Sequence, residues 1–317
     1  MEIFLDGISS LDYYRTPGTS SPMTHPAKRY AREFASSVPT QHAACAALLA
    51  CPFLRSPLHL LVPNDASRCR AKGIDCHVLS TPLPPAAFLP IGDGLFACSP
   101  EFAFARCARE LDFAQLVALG CEMTGSYRLQ ADDAQGFVSA PPLTSAPRLR
   151  AFLDQRGFAC ARHARDASRF VCSGSASPRE TLLFALLSLP KAKGGYGLPF
   201  PQFNYEVAVP RSDWRVAFGK KFSCDLFWPS ARFGVEYDSD AFHTSAQKIV
   251  HDARRRNALL SLGITIITAT REQATNRFGL DQIAAQVAKG LGIRLRMERV
   301  NRTAQEALLR SLLGPTA

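Results

Sequence analysis

The chain has 317 residues, 47% of them hydrophobic, and a formal net charge of +10 at pH 7. Its length favours two or three domains, and its hydrophobic content is sufficient for packed cores, which excludes a largely disordered chain. The positive charge favours a polyanionic partner.

No run of residues approaches the roughly 18 to 20 apolar residues that a membrane span requires. The N-terminal sequence Met-Glu-Ile-Phe-Leu-Asp lacks the basic and apolar regions of a signal peptide. We therefore expect a cytoplasmic protein with no membrane partner.

Ten cysteines are scattered along the chain without any Cys-x-x-Cys pair. In a chain of this length, such scatter is typical of neither a disulfide scaffold nor a zinc site. We expect most of these thiols to be small core residues, and the sequence leaves open one redox-active pair.

The first part of the chain predicts three segments. Residues 1–27 are expected to be an N-terminal arm, since residues 15–27 are rich in Ser, Thr and Pro. Residues 28–130 alternate short apolar runs with helical segments and predict a smaller mixed α/β domain of unknown role. Within it, Ser99-Pro-Glu-Phe is typical of a helix start, and the helix is expected to extend through Leu111. Residues 131–173 predict a linker and helical connector.

Residues 174–290 predict a domain with the element order α-β-β-β-α-β-α. The first helix starts at Ser177, and the second, spanning 245–262, ends where Gly263 takes the C′ position. Strands are expected at residues 204–209, 222–227, 232–238 and 264–268. Residues 291–317 predict a basic helical tail.

Acidic side chains occur on two of these strands. Glu236 and Asp238 project from one face because side chains alternate along a strand, and Asp225 lies on the preceding strand. If the loop between the strands has the four residues 229–232, Asp225 pairs with Glu236 and their Cβ atoms lie about 5 Å apart. Such oxygen ligands suit Mg²⁺ or Mn²⁺. The alternative is a solvated acidic sheet face, which does not account for the apolar neighbours of Asp225.

Two further residues have open roles. His243 follows the strand end and is a candidate general base, water-orienting group or phosphate contact, or is incidental. Glu180 belongs to Ser177-Pro-Arg-Glu, which is a capping box. The sequence leaves open whether Glu180 caps the helix or binds the metal.

Basic residues near the acids suggest contacts to a polyanion. Asp252 has the helical spacing of an ion pair with Arg255 or Arg256. The candidate phosphate contacts are Arg254, Arg255, Arg256, Lys220 and Lys221. The two lysines are equally consistent with solvated residues at the start of a strand.

Together these residues resemble the small single-domain endonucleases related to very-short-patch-repair enzymes, in the PD-(D/E)XK superfamily. The resemblance covers roughly residues 174–290 and implies an α/β fold with a restriction-endonuclease-like α-β-β-β-α-β core. It rests on Asp225, Glu236-Tyr-Asp238, His243, Asp252-x-x-Arg255 and Leu262-Gly263.

The resemblance implies a role for each matching residue. Asp225 and Glu236 would be metal ligands, Glu180 would match an acid of the first core helix, and Asp238 occupies the position of the superfamily lysine. Because that lysine is absent, His243 or a second metal ion must compensate for it.

Residues 1–170 resemble the N-terminal portions of proteins that join an AbiEi-type antitoxin or regulator-like region to such a nuclease domain. The shared features are the helix at Ser99-Pro-Glu and the segment 119–125.

These observations lead to a main hypothesis and two alternatives. The main hypothesis is a DNA endonuclease or nickase that depends on Mg²⁺ or Mn²⁺. The first alternative is a catalytically inactive nuclease-fold protein that binds DNA as a regulator or antitoxin-like component, and the second is cleavage of RNA. The sequence does not fix the oligomeric state.

Overall fold

The structure is a computed structural model that describes residues 2–16, 28–51, 53–92, 94–130, 133–155, 161–209, 221–238 and 255–313. The chain divides into two compact units, Met1–Val171 and Cys172–Ala317. Both contain helices and sheet, so the fold class is α/β, as the sequence predicts. Within the described ranges, no helix combines the length and apolar character needed to cross a membrane.

The main sheet of the first unit has its N-terminal strand at the centre. Its strands are β1 (Ile3–Leu5), β2 (Leu58–Val62), β3 (Ile74–Val78), β4 (Phe88–Gly92) and β5 (Leu95–Cys98), in the order β3-β2-β1-β5-β4. β1 pairs parallel with β5 and antiparallel with β2, and β2 pairs parallel with β3. Residues 3–14 therefore differ from the predicted N-terminal arm, because the apolar Ile-Phe-Leu triplet is buried in the sheet.

Helices and a small hairpin complete the first unit. The helices are α1 (Gly7–Tyr14), α2 (Ala31–Ala35), α3 (Gln41–Ala50), α4 (Pro100–Cys107), α5 (Phe113–Met123), α6 (Ala146–Leu153) and α7 (Ala161–Ser168), and the hairpin is β6 (Tyr127–Leu129) with β7 (Phe137–Ser139). Ser99 caps α4 as predicted, its hydroxyl accepting from the Phe102 amide at 3.4 Å. The helix ends at Cys107 instead of extending through Leu111, because Asp112 forms a capping box with Gln115 and starts α5.

Alternation along β2 assigns its side chains to two environments. Leu58, Leu60 and Val62 are fully buried and belong to a core that includes Ala44 of α3. His59 and Leu61 therefore project to the opposite face of the sheet. The nine cysteines that the structure describes are free thiols.

A buried ion pair joins α1 to α4 in the first unit. Arg106 donates from Nε to Asp6 Oδ1 and from Nη2 to Asp6 Oδ2, both at 2.7 Å. Their side chains are only 1% and 6% exposed. Asp6 Oδ1 also accepts from the Gly7 amide at 2.9 Å and so caps α1. The Asp6 carboxylate is thus stabilised both by the positive charge of Arg106 and by the amide at the start of α1.

The second unit contains a sheet with the order β11-β10-β9-β8. Its elements are α8 (Pro178–Ser188), β8 (Gln202–Ala208), β9 (Lys221–Trp228), β10 (Phe233–Asp238), α9 (residues 255–261), β11 (Thr265–Thr270), α10 (Arg271–Thr275), α11 (Arg277–Gly290) and α12 (Arg302–Leu313). β8, β9 and β10 are antiparallel neighbours, and β11 runs parallel to β10. Gly263 follows α9 with a φ of +69°, as expected of a C′ glycine.

Two sets of apolar contacts hold this sheet. Phe184 of α8 packs edge-on against Phe203 of β8, with ring centroids 5.3 Å apart. Ala258 and Leu259 of α9 join a separate buried cluster with side chains of β8 and β9.

Residues 302–313 of the predicted C-terminal tail form α12 within the second unit. α12 packs against α8, and Arg302 donates to Asp281 of α11 at 2.8 Å. Tyr196 also donates to Asp281, at 2.7 Å. The predicted helical character of residues 302–313 agrees with the structure.

Replacement of Arg106 with Met is expected to destabilise the first unit by about 3–5 kcal/mol, because it leaves the Asp6 carboxylate buried without its cation. Urea unfolding followed by hydrogen exchange in peptides from β1 and α4 measures the change. The control is Arg169→Met, since Arg169 and Asp166 form an exposed pair at 3.7 Å, and its effect should stay below about 1 kcal/mol. Equal effects of the two substitutions would contradict the prediction.

Candidate functional site

The loop between β9 and β10 sets the register of the two acid-bearing strands. The strands end at Trp228 and begin at Phe233, so the loop has the four residues predicted. The pairs are Phe233 with Trp228, Gly234 with Phe227 and Val235 with Leu226. The regular pairing stops at Val235; continued by one position, it would place Glu236 opposite Asp225.

Asp225 occupies an interrupted point of the sheet. Its Oδ2 atom accepts a hydrogen bond from the Tyr237 amide at 2.8 Å. The Tyr237 amide therefore bonds to a side chain, where a regular strand pair would have a backbone carbonyl as the acceptor. Burial raises the pKa of the Asp225 carboxyl to about 6, opposed by this hydrogen bond and assisted by the charges of Glu180 and Glu236. Asp225 is therefore a half-buried acid with a raised pKa beside other acids, an arrangement that is common at functional sites.

Asn204 explains the interruption on the other side of β9. It has a φ of +46°, in the left-handed region, and it lies between the regular pairs Phe203–Leu226 and Tyr205–Cys224. Its amide nitrogen donates to Gly174 O at 3.0 Å and to Glu180 Oε2 at 2.7 Å. Sequence reasoning missed this residue; the available signal was an asparagine, which tolerates left-handed backbone, at the start of an apolar strand.

Glu180 is held by hydrogen bonds at the start of α8. The Ser177 hydroxyl accepts from the Glu180 amide at 3.1 Å and donates to Glu180 Oε1 at 2.9 Å. Oε2 accepts from the Ala176 amide at 2.9 Å. Burial raises the pKa of Glu180, against the effect of these donors. The geometry favours the capping interpretation, with the difference that the backbone donor is Ala176, one residue before the cap.

Arg255 of α9 binds Glu236 with both ends of its guanidinium. Nη1 donates to Glu236 Oε2 at 2.8 Å and Nη2 donates to Oε1 at 2.5 Å. Nη2 also donates to Ser223 O at 2.7 Å, and the guanidinium carbon lies 5.8 Å from the centre of the Phe222 ring. This arginine was predicted as a phosphate contact and as the partner of Asp252; the structure adds a pairing with Glu236 that sequence spacing does not indicate.

Glu236 and Asp238 share a cleft of about 230 Å³ with Arg255 and Arg256. It is lined by Glu236, Tyr237, Asp238, Arg255, Arg256, Leu259, Ile266 and Thr268. Arg256 is exposed there. Lys221 instead pairs with Glu206 on β8 at 2.5 Å, both side chains being largely exposed, which fits its solvated interpretation.

Four of the predicted site residues, His243, Asp252, Arg254 and Lys220, lie outside the described residues. Their roles therefore stay predictions.

The fit of a metal ion to the predicted ligands depends on Arg255. Both oxygens of Glu236 accept from its guanidinium, while Asp225 accepts a single amide through Oδ2. Mg²⁺ needs only one or two carboxylates, with water and substrate completing its shell. With both oxygens of Glu236 bound by Arg255, Asp225 and Glu236 would meet that requirement only if a metal ion displaced the arginine. Among the described residues, another set of side chains could also hold a metal ion. The ligand atoms of His59, His77 and Glu110, in the first unit, all lie within 4.8 Å of one another.

Comparisons of the chain with protein-family models, with curated proteins and with solved structures give no match.

Replacement of Asp225 with Asn is expected to stabilise the second unit at pH 8 and to leave it unchanged near pH 4. In the folded protein the pKa of the Asp225 carboxyl is about 6, above its ordinary value. At low pH the wild-type carboxyl is therefore neutral and does not lower the stability of the fold. It destabilises the fold as the pH rises from about 4 through 6. The Asn side chain keeps an oxygen that can accept from the Tyr237 amide. Because the carboxyl is partly exposed, we expect the free energy of unfolding to rise by only about 1–2 kcal/mol at pH 8.

Thermal unfolding followed by tryptophan fluorescence measures this difference, since both tryptophans, Trp214 and Trp228, belong to the second unit. A gain of equal size at pH 4 and pH 8 would contradict a titrating carboxyl as its cause.

Proposed function

We propose that the second unit is a divalent-metal-dependent endonuclease that hydrolyses phosphodiester bonds in DNA. The observation that carries this proposal is the half-buried carboxyl of Asp225, with its pKa raised to about 6 by burial and by neighbouring acids, on the strand beside Glu236, which lines an open cleft. Carboxylates gathered in this way favour a cation.

The arrangement of elements supports the same function. α8, the antiparallel strands β8, β9 and β10, α9 and the parallel strand β11 follow one another along the chain. This succession is compatible with the restriction-endonuclease-like core that the resemblance implies, and we include that core in the proposal.

The proposal gives each site residue a role in metal binding, phosphate binding or proton transfer. Asp225 and Glu236 would hold Mg²⁺ or Mn²⁺, and Asp238, at the end of β10, would assist through water. When bound, the metal would lower the pKa of a water molecule and offset charge on the scissile phosphate. Arg255 and Arg256 line the same cleft and would bind the phosphodiester backbone. His243 remains the candidate for proton transfer.

Cleavage of supercoiled plasmid with Mg²⁺ or Mn²⁺ tests this function. We expect Asp225→Asn and Glu236→Gln each to lower the cleavage rate by at least about 100-fold, the scale on which loss of a preorganised electrostatic group acts. Glu306→Gln, a change of an exposed acid on α12, is the control and should cleave like wild type. Cleavage that survives both site substitutions would assign the activity to a contaminant.

The bidentate pairing of Glu236 with Arg255 favours a second candidate, a catalytically inactive nuclease-fold protein that binds DNA. In that case the arginine permanently supplies the positive charge that a metal would bring. Salt-dependent DNA binding without cleavage in either metal would establish this alternative. Parallel RNA substrates in the same assay test the remaining hypothesis, RNA cleavage.

Replacement of Arg255 with Met distinguishes the two candidates without an activity assay. If Glu236 is a metal ligand, loss of the competing guanidinium should tighten Mn²⁺ binding by about five-fold, because a partly exposed pair contributes about 1 kcal/mol. Mn²⁺ titration followed by electron paramagnetic resonance measures the affinity. Arg256→Met is the matched control and should leave it unchanged. Weak Mn²⁺ binding that Arg255→Met does not alter would favour the inactive protein.

A further inference from the structure

His59, His77 and Glu110 come together in the first unit, far from one another in sequence. β2 and β3 are parallel, with Leu61 opposite His77 and His59 opposite Asp75. This register places both histidines on the sheet face opposite the Leu58–Leu60 core. Glu110 reaches them from the turn that follows α4, where its amide donates to Cys107 O at 3.0 Å.

The three side chains present their ligand atoms to a common point. His59 Nδ1 lies 3.1 Å from His77 Nε2, and Glu110 Oε1 lies 3.9 Å from the first and 3.8 Å from the second. A triangle with these sides has its centre about 2.1 Å from each corner, which is the length of a zinc–ligand bond.

We propose that His59, His77 and Glu110 bind one divalent transition-metal ion, with zinc as the expected occupant, and leave a coordination position for water. Two imidazoles and a carboxylate are a ligand set of zinc and of ferrous iron rather than of magnesium. This site is separate from the acids of the second unit, and it does not depend on the nuclease proposal.

The surroundings of the histidines favour a metal over a simple ion pair with Glu110. The rings are nearly parallel, with an interplanar angle of 9°, and in the absence of a metal His59 Nδ1 and His77 Nε2 share a hydrogen bond. Glu110 Oε1 lies 3.9 Å from His59 Nδ1 and 3.8 Å from His77 Nε2, which is too far for a direct hydrogen bond to either ring.

An ion can reach the site from solvent. The side chains of His59, His77 and Glu110 are 15%, 20% and 39% exposed. His77 also lines an open hollow of about 500 Å³ beside β3. The ligands are therefore accessible but largely fixed by the sheet and by the turn after α4.

Zinc titration of the metal-stripped full-length protein tests the site. Excess Mg²⁺ is kept present so that the acids of the second unit do not compete for zinc. We expect one zinc ion per wild-type chain by calorimetry and by elemental analysis after gel filtration. His59→Gln, His77→Gln and Glu110→Gln should each weaken binding by at least about 10-fold, the lower limit seen even for outer-shell partners of metal ligands.

His42→Gln is the matched control, since His42 is exposed on α3, and it should bind zinc like wild type. Glu110→Gln changes the most exposed ligand, and circular dichroism of the metal-free variants checks that each remains folded. Zinc retained unchanged by the three ligand variants would assign it to cysteines and overturn the proposal, as would a wild-type protein that binds none.

Cobalt and ferrous iron supply an independent test. Co²⁺ bound at this site should give visible absorption bands without a thiolate charge-transfer band; a thiolate band would overturn the assignment. Competition between Zn²⁺ and Fe²⁺ for the same three residues identifies the preferred ion. Tighter binding of Fe²⁺ would keep the site and correct the expected occupant.

Discussion

The need to compensate buried charge fixes the position of several elements in this protein. A carboxylate removed from water costs several kcal/mol unless a cation and hydrogen-bond donors meet it. In the first unit Asp6 meets Arg106 and the start of α1. In the second unit the partly exposed Glu236 meets Arg255. The first pair joins α1 to α4, and the second joins β10 to α9, so the arginines act as connections between elements as well as counter-charges.

Asp225 is compensated in a different way, and this difference makes it the chemically distinctive member of its group. A backbone amide stabilises its charge, while its neighbours Glu180 and Glu236 oppose ionisation. The left-handed backbone of Asn204 interrupts the ladder beside it and directs an amide to Glu180. The sheet thus holds one half-buried carboxyl, with its pKa raised to about 6, beside two other acids.

Local rules predicted the features that depend on a few neighbouring residues. The cap at Ser99, the end of α9 at Gly263 and the four-residue loop before Phe233 follow from side-chain chemistry within a few positions. The early end of α4 was missed because Asp112 offers the backbone a competing start.

Contacts made by distant residues were not accessible in this way. The pairing of Arg255 with Glu236 depends on where α9 lies against the sheet. His59 and His77 meet only because β2 and β3 run parallel. The register of parallel strands is set by the connection between them and by the core. The apolar pattern of β2 and β3 alone does not predict this register. Sequence periodicity therefore identified the acids of the second unit and overlooked the histidines of the first.

The double hydrogen bond from Arg255 to Glu236 has a thermodynamic consequence for the proposed nuclease. The Arg255 guanidinium cannot make its double hydrogen bond to Glu236 and an equally strong one to a phosphate at the same time. A metal that displaced the arginine from Glu236 would release it for the substrate, and a substrate that attracted it would expose Glu236 to the metal. The two ligands would then promote each other's binding by the same factor, as reciprocity requires. Cooperativity between metal and nucleic acid would thus arise from a single side chain with two competing partners.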